Sequence, residues 1–257
     1  MSRDTYSRSM PWLMLVTMLA LTPGVLSQVV VYGAGTLLHL AVASIVALLV
    51  EVLVATIRNR RPFALVQDWS AVVTAALIAV AVPAGAPWWV SAVATASGLL
   101  LAKHLYGGLG QNLFNPAMAG YAVALVSFPE EMTRWYAYPV VSEGFQDWLL
   151  GAHAATGATP LDQLQTAIRH PDPGDLPGAS TPMGIVLIAV AYTFGGAALI
   201  AARVIHWRMP LAFIAGLGGS AALTYVVAGG ELATPSFHLL NGAAAVVAFF
   251  IVTDPVT

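Results

Sequence analysis

The residues best placed to do chemistry lie in one run, Thr156-Gly157-Ala158-Thr159-Pro160-Leu161-Asp162. Read locally, Thr159 is a helix N-cap, Pro160 takes the first helical position and Asp162 completes a variant capping box. A helix from Pro160 to about Arg169 is expected to follow. The free N–H groups and the dipole at such a helix start attract anions. The Thr159 hydroxyl therefore stands where a phosphate would be held. The same pattern also serves as a plain cap with no ligand.

A second run, Gly107-Gly108-Leu109-Gly110-Gln111-Asn112, interrupts an apolar stretch. Gly108 and Gly110 permit close backbone approach. Asn115-Pro116 reads as a cap and first helical position. The helix it opens, to Phe128, has about 13 residues and a length of roughly 20 Å. A hydrocarbon core of about 30 Å is longer than that. The expectation is a half-helix that begins inside a membrane with its N–H groups aimed at a ligand. The plainer reading is a Gly-rich turn and a tilted helix, with Asn112 in the turn and Asn115 as cap. Glu51 lies near the end of an apolar run, where an acid serves a cation path or pairs with Arg58 or Lys103. The six histidines show no helical spacing that would ligate a haem.

These residues need a scaffold, and composition says which. The chain has 257 residues, 58% hydrophobic and 9% charged, with mean hydropathy +0.79. A soluble domain carries about 25% charged residues. Lipid must be the solvent for most of this chain, so the bilayer is its first partner. A net charge of −2 gives no reason to expect nucleic acid. With no cysteine, disulfides and thiolate-held iron–sulfur clusters are excluded from the sequence.

Apolar runs at 11–31, 35–57, 69–84, 88–106, 116–128, 184–202, 210–228 and 238–253 predict about eight spans. The first run is read as a retained helix rather than a signal peptide. With the N-terminus inside, Arg3, Arg8, Arg58, Arg60, Arg61, Lys103, Arg203 and Arg208 fall inside, and only Arg134 and Arg169 of the 10 basic residues fall outside. The polar stretch 129–182 is then external. The run from Asp68 to Leu77 resembles Leu240 to Phe249 in opposite orientation, a faint inverted repeat. The fold class is all-α integral membrane with inverted-repeat character and a half-helix. Residues 1–128 form the first membrane repeat, 129–182 the loop, and 183–257 the second repeat.

Four pieces together carry a resemblance: Leu105 to Tyr121 (LYGGLGQNLFNPAMAGY), Ser127 to Trp135 (SFPEEMTRW), Thr156 to Asp162, and Thr253-Asp254-Pro255-Val256-Thr257. The chain resembles the RnfD/NqrB family of membrane flavoproteins, and the Ser-Phe-Pro-x-x-Met-Thr run is closer to its RnfD branch. The resemblance implies FMN joined through its phosphate to Thr159 by a flavin transferase, with Thr156, Gly157 and Ala158 as the rest of the attachment motif. It links Asn112 and Asn115, with Gly108 and Gly110, to a second, non-covalent flavin, riboflavin.

The activity implied is electron relay in the Rnf complex, a redox-driven ion-translocating ferredoxin:NAD oxidoreductase of the bacterial inner membrane. Other Rnf subunits are then its partners, and the loop faces the periplasm. Trp135, Tyr136, Tyr138, Phe145 and Trp148 are available to pack a flavin ring or to anchor the loop at the interface. Two departures are visible. His153 stands where the motif usually has Asp, and the family pattern continues through about two further helices beyond Thr257. The rival expectation is a solute channel or transporter of inverted-repeat fold with no redox cofactor.

Overall fold

The structure, a computed structural model, describes residues 9–59, 68–108, 110–135, 157–169, 181–230 and 232–254; these are helical, with no strand among them. Two long helices come first, α1 (Met10–Tyr32) and α2 (Gly35–Ile57). Gly33, at φ 86°, turns the chain between them and donates its N–H to Val29 O. α3 (Ser70–Ala81) and α4 (Trp88–Ser97) follow, and α4 runs on as a wider π turn, Gly98–His104. α5 (Pro116–Ser127) and the short α6 (Pro129–Thr133) complete the first half. α7 (Pro160–Arg169) is polar, with one buried side chain. α8 (Met183–Ala201), α9 (Arg208–Val227), α10 (Pro235–Leu240) and α11 (Ala244–Val246, continued by the π turn Val247–Ile251) form the second half.

α1, α2, α8 and α9 are long and apolar enough to cross a membrane. The chain is therefore a multi-pass membrane protein. Of the remaining expected runs, α5 has the short length expected of a half-helix and α4 with its π turn fills most of 88–106, while 69–84 comes out shorter and 238–253 broken. α3 and α5 have 12 residues each, about 18 Å of helix, and cannot span alone. The expected span 238–253 is split at Asn241–Ala243. The physical reason is backbone conformation. Trp69 (φ 60°) before α3 and Ala243 (φ 60°) before α11 are both left-handed although neither is glycine. Hydropathy along a run does not register such a turn.

The halves meet along α1 and α8. A Cβ on Gly195 would lie 1.9 Å from the Ala20 carbonyl oxygen, so only glycine lets these backbones approach this closely. Tyr192 and Phe250 stack edge-on in the same interface, ring centroids 5.9 Å apart. A second cluster, Ala43, Ala47, Val50, Val54, Ala71, Ala75 and Leu99, joins α2, α3 and α4.

Candidate functional site

At one end of the bundle, Thr159 caps α7. Its Oγ1 accepts from the N–H of Asp162 (3.2 Å) and donates to Asp162 Oδ2 (2.6 Å), while its own N–H donates to that carboxylate (3.2 Å). The capping box expected from sequence is present, with Asp162 in the position usually held by Glu or Gln. Ala158 is exposed and Thr159 half-exposed. Gln163 Nε2 donates to Ala158 O at 2.9 Å and Gly157 N to Trp135 O at 3.0 Å, which tethers the Gly157-Ala158-Thr159 strip at both ends. Trp135 packs against Tyr32 at the end of α1, centroids 5.8 Å apart.

α7 itself is held by Leu164, which packs with Leu161, Ala233 and Phe237. The Thr159 hydroxyl is thus presented outward from a helix anchored on the start of α10. Such a hydroxyl is reachable by a phosphoryl donor. The helix start favours an added anion, and a phosphate joined to Thr159 Oγ1 fits there once the Asp162 carboxylate, now 2.6 Å from that oxygen, turns away. Thr156, His153, Tyr136, Tyr138, Phe145 and Trp148 lie outside the described residues.

At the opposite end, Gly108 (φ 111°) and Gly110 (φ 77°) adopt left-handed conformations with open space around them, as a Gly-rich turn requires. Asn112 lies half-buried four residues before α5. Asn115 caps α5: its Oδ1 accepts from Ala117 N (2.8 Å) and Met118 N (3.2 Å). Its Nδ2 donates to Asp254 Oδ2 at 2.8 Å, tying the start of α5 to the end of α11. The structure does not bring these residues near Thr159; the two sets lie at opposite ends of the bundle.

The pairing of Glu51 with Lys103 expected from sequence is present; His104 and Ser70, which sequence reasoning left without a role there, join it. Lys103 Nζ donates to Glu51 Oε1 (2.7 Å) and to Ser70 Oγ (2.7 Å), and His104 Nε2 lies 3.1 Å from Glu51 Oε1. Ser70 passes its hydroxyl to Asp68 Oδ1 at 2.7 Å, and Arg58 Nη2 binds His104 O at 2.5 Å. Glu51 is fully buried and Lys103 is 1% exposed, so Glu51 does not reach out to solvent. A buried charge is tolerated only when paired, and here the π turn aims two adjacent residues at one acid. The signal in sequence was a charged pair, Lys103-His104, closing an apolar run, but its partner stands 52 residues earlier.

Fold and sites together define a multi-pass membrane protein with a buried ion pair and a presented, capping threonine. The profile of the NQR2, RnfD, RnfE family matches residues 4–257, and the chain belongs to that family. It is similar to proteins named as the D component of an ion-translocating oxidoreductase complex. The one from Yersinia pseudotuberculosis is 38% identical over 278 residues, covering 97% of this chain and 79% of its own length. The Vibrio cholerae protein is 39% identical over 283 residues, 100% of this chain and 80% of its own. The one from Pseudomonas aeruginosa is 44% identical over 268 residues, 98% of this chain and 76% of its own.

Proposed function

We propose that this chain is the D-type membrane component of a redox-driven, ion-translocating Rnf complex that passes electrons between ferredoxin and NAD. Its part is electron relay through FMN held by a phosphoester to Thr159, attached by a flavin transferase. The observation that carries this is the Thr159 hydroxyl, held on an anchored helix start that welcomes a phosphate. The relatives from ion-translocating oxidoreductase complexes support membership of such a complex; a channel has no need of such a threonine.

The flavin supplies one-electron chemistry, and the protein supplies placement and electrostatics. Before attachment, Thr159 Oγ1 donates its proton to Asp162 Oδ2 across an oxygen–oxygen distance of 2.6 Å, which fixes the hydroxyl's direction. Afterwards Asp162 can no longer accept from that oxygen, and α7 remains anchored through Leu161 and Leu164. Riboflavin is assigned to the Gly108–Asn115 turn at the other end, where the open space at Gly108 and Gly110 leaves room for a ring. Asn115 would act there through the α5 start it caps, because its amide is already committed.

The chain sits in the bacterial inner membrane with its N-terminus cytoplasmic and 129–182 periplasmic, the orientation the distribution of basic residues favours. The test is flavin fluorescence in a denaturing gel, wild type beside Thr159→Ala, each co-expressed with the transferase. Fluorescence in the wild type alone supports the reading. Equal fluorescence in both, or none in either, removes Thr159 as the carrier.

A further inference from the structure

α2 and α4 are joined at two points by polar pairs with the same offset. Glu51 meets Lys103 at one end; His39 Nδ1 meets Ser91 Oγ at 3.1 Å at the other, and both pairs stand 52 residues apart in sequence. The two helices therefore run parallel and side by side, and twelve residues of α2, about 18 Å, separate the two stations. On α2 the stripe between them is His39, Ala43, Ala47 and Glu51, all at 0% exposure. On α4 the facing stripe is Ser91, Thr95, Leu99 and Lys103, each four residues from the next, which places them on one face.

Polar atoms along this seam are left open. Thr17, Thr56, Thr193, Thr224 and Thr253 each return their hydroxyl to the carbonyl four residues back. Thr95, and Thr74 on the adjoining α3, are fully buried and make no such bond. Glu51 Oε2 and His39 Nε2 are also buried without a partner. Four unsatisfied groups in one helix triplet are costly in lipid, and a role in carrying something explains their retention.

His39 indicates what is carried. Ser91 Oγ lies within reach of both Trp88 O (2.9 Å) and His39 Nδ1 (3.1 Å), and its one proton can go to either. When it goes to Trp88 O, Nδ1 holds the ring proton and Nε2 is a lone pair; when it goes to Nδ1, the ring proton sits on Nε2. The backbone of Pro83, Ala84 and Ala86 lies against the ring. A proton on Nε2 would find carbonyl acceptors there, whereas the lone pair finds none. α3, α4 and the 82–87 turn packed around the ring contain no charged residue; the ionisable groups of the seam are Glu51, Lys103 and His104 at its far end, with Arg58 and Asp68 beside them.

We propose that the α2–α4 seam is a proton path between Glu51 Oε2 and His39 Nε2, with Thr95 and Thr74 as hydroxyl steps and Leu99 as the closed plug. Each step moves one proton from a donor to a lone pair, with no change in bonding at the end of a cycle. The path deepens the ion-translocating reading of the complex and does not depend on where the flavin is attached.

The test uses the whole complex in sealed vesicles and counts protons and sodium ions moved per electron, with a pH-sensitive dye and radioactive sodium. His39→Gln keeps a partner for Ser91 but carries no proton, and proton movement per electron should fall about tenfold or more. Thr95→Val, close in shape, should cut it several-fold, and Thr193→Val, outside the seam, should leave it unchanged. Wild-type proton movement in both His39→Gln and Thr95→Val overturns the path, as does sodium movement without proton movement in the wild type. If His39→Gln fails to assemble, Thr95→Val decides. Flavin attachment is read separately on denatured protein, so the flavin reading and the proton path fail independently.

Discussion

α2 and α9 hold like positions in their halves. Each follows a helix of the α1–α8 interface. Their surroundings differ sharply. α2 buries eight residues, His39 and Glu51 among them, while α9 buries only Pro210 and Ala221. α9 carries no charge between its first residue and its end, and Gly216 and Gly219 face open space. α2 carries an acid and an imidazole, and α3 and α4 close over both. The lesson is about solvent: an apolar face can be left to lipid, but a charged one must be brought together with its partners.

The largest effect should come from removing the cover's charge. Lys103→Met leaves the Glu51 carboxylate buried without its cation, a loss of about 3–5 kcal/mol. Little folded protein should survive detergent extraction, judged by its elution as a single species. Adding Glu51→Gln to Lys103→Met should restore most of it; no recovery would mean that packing, not charge, governs this face.

Gly195→Val tests the seam between the halves. The new Cβ would fall 1.9 Å from Ala20 O, and forcing the backbones apart should cost about 1–3 kcal/mol. A lowered thermal midpoint is expected, and an unchanged one would show that α1 and α8 slide freely. Thr159→Ala removes one cap, worth about 1 kcal/mol to α7, yet it should abolish covalent flavin. A change that barely touches stability and ends a modification separates a presented residue from a packed one. Smallest of all, Gly216→Ala and Gly219→Ala on α9 should cost nothing in thermal stability, because nothing lies within 4 Å of either added methyl. Loss of assembly with other subunits in either variant would show that this face is covered in the complex.

What could be read from the sequence follows the reach of each interaction. Thr159 and Asp162 satisfy one another within four residues, so the cap and the helix to Arg169 were legible. Asn115 capping α5 was legible for the same reason. The long apolar helices followed from hydropathy. Three things were out of reach. Lys103 could be named as a partner for Glu51 by charge, but His104, 53 residues from Glu51, and Ser70, 33 residues from Lys103, join them with no local signal in sequence. The Asn115–Asp254 bond crosses 139 residues and ties a cap to a residue near the other end of the chain. The left-handed turns at Trp69 and Ala243 are set by tertiary packing against residue preference, so α3 came out shorter and the last expected span divided.

The central claim is that Thr159 carries the electron-relaying flavin, and the most direct measurement is the mass of one peptide. Trypsin releases residues 135–169 intact, since no Lys or Arg lies between Arg134 and Arg169. In membranes from cells that hold the transferase, this peptide should be heavier by one FMN less one water, with the added mass on Thr159 in the fragment ions. A peptide of unmodified mass, or the added mass on any other residue, would contradict the account.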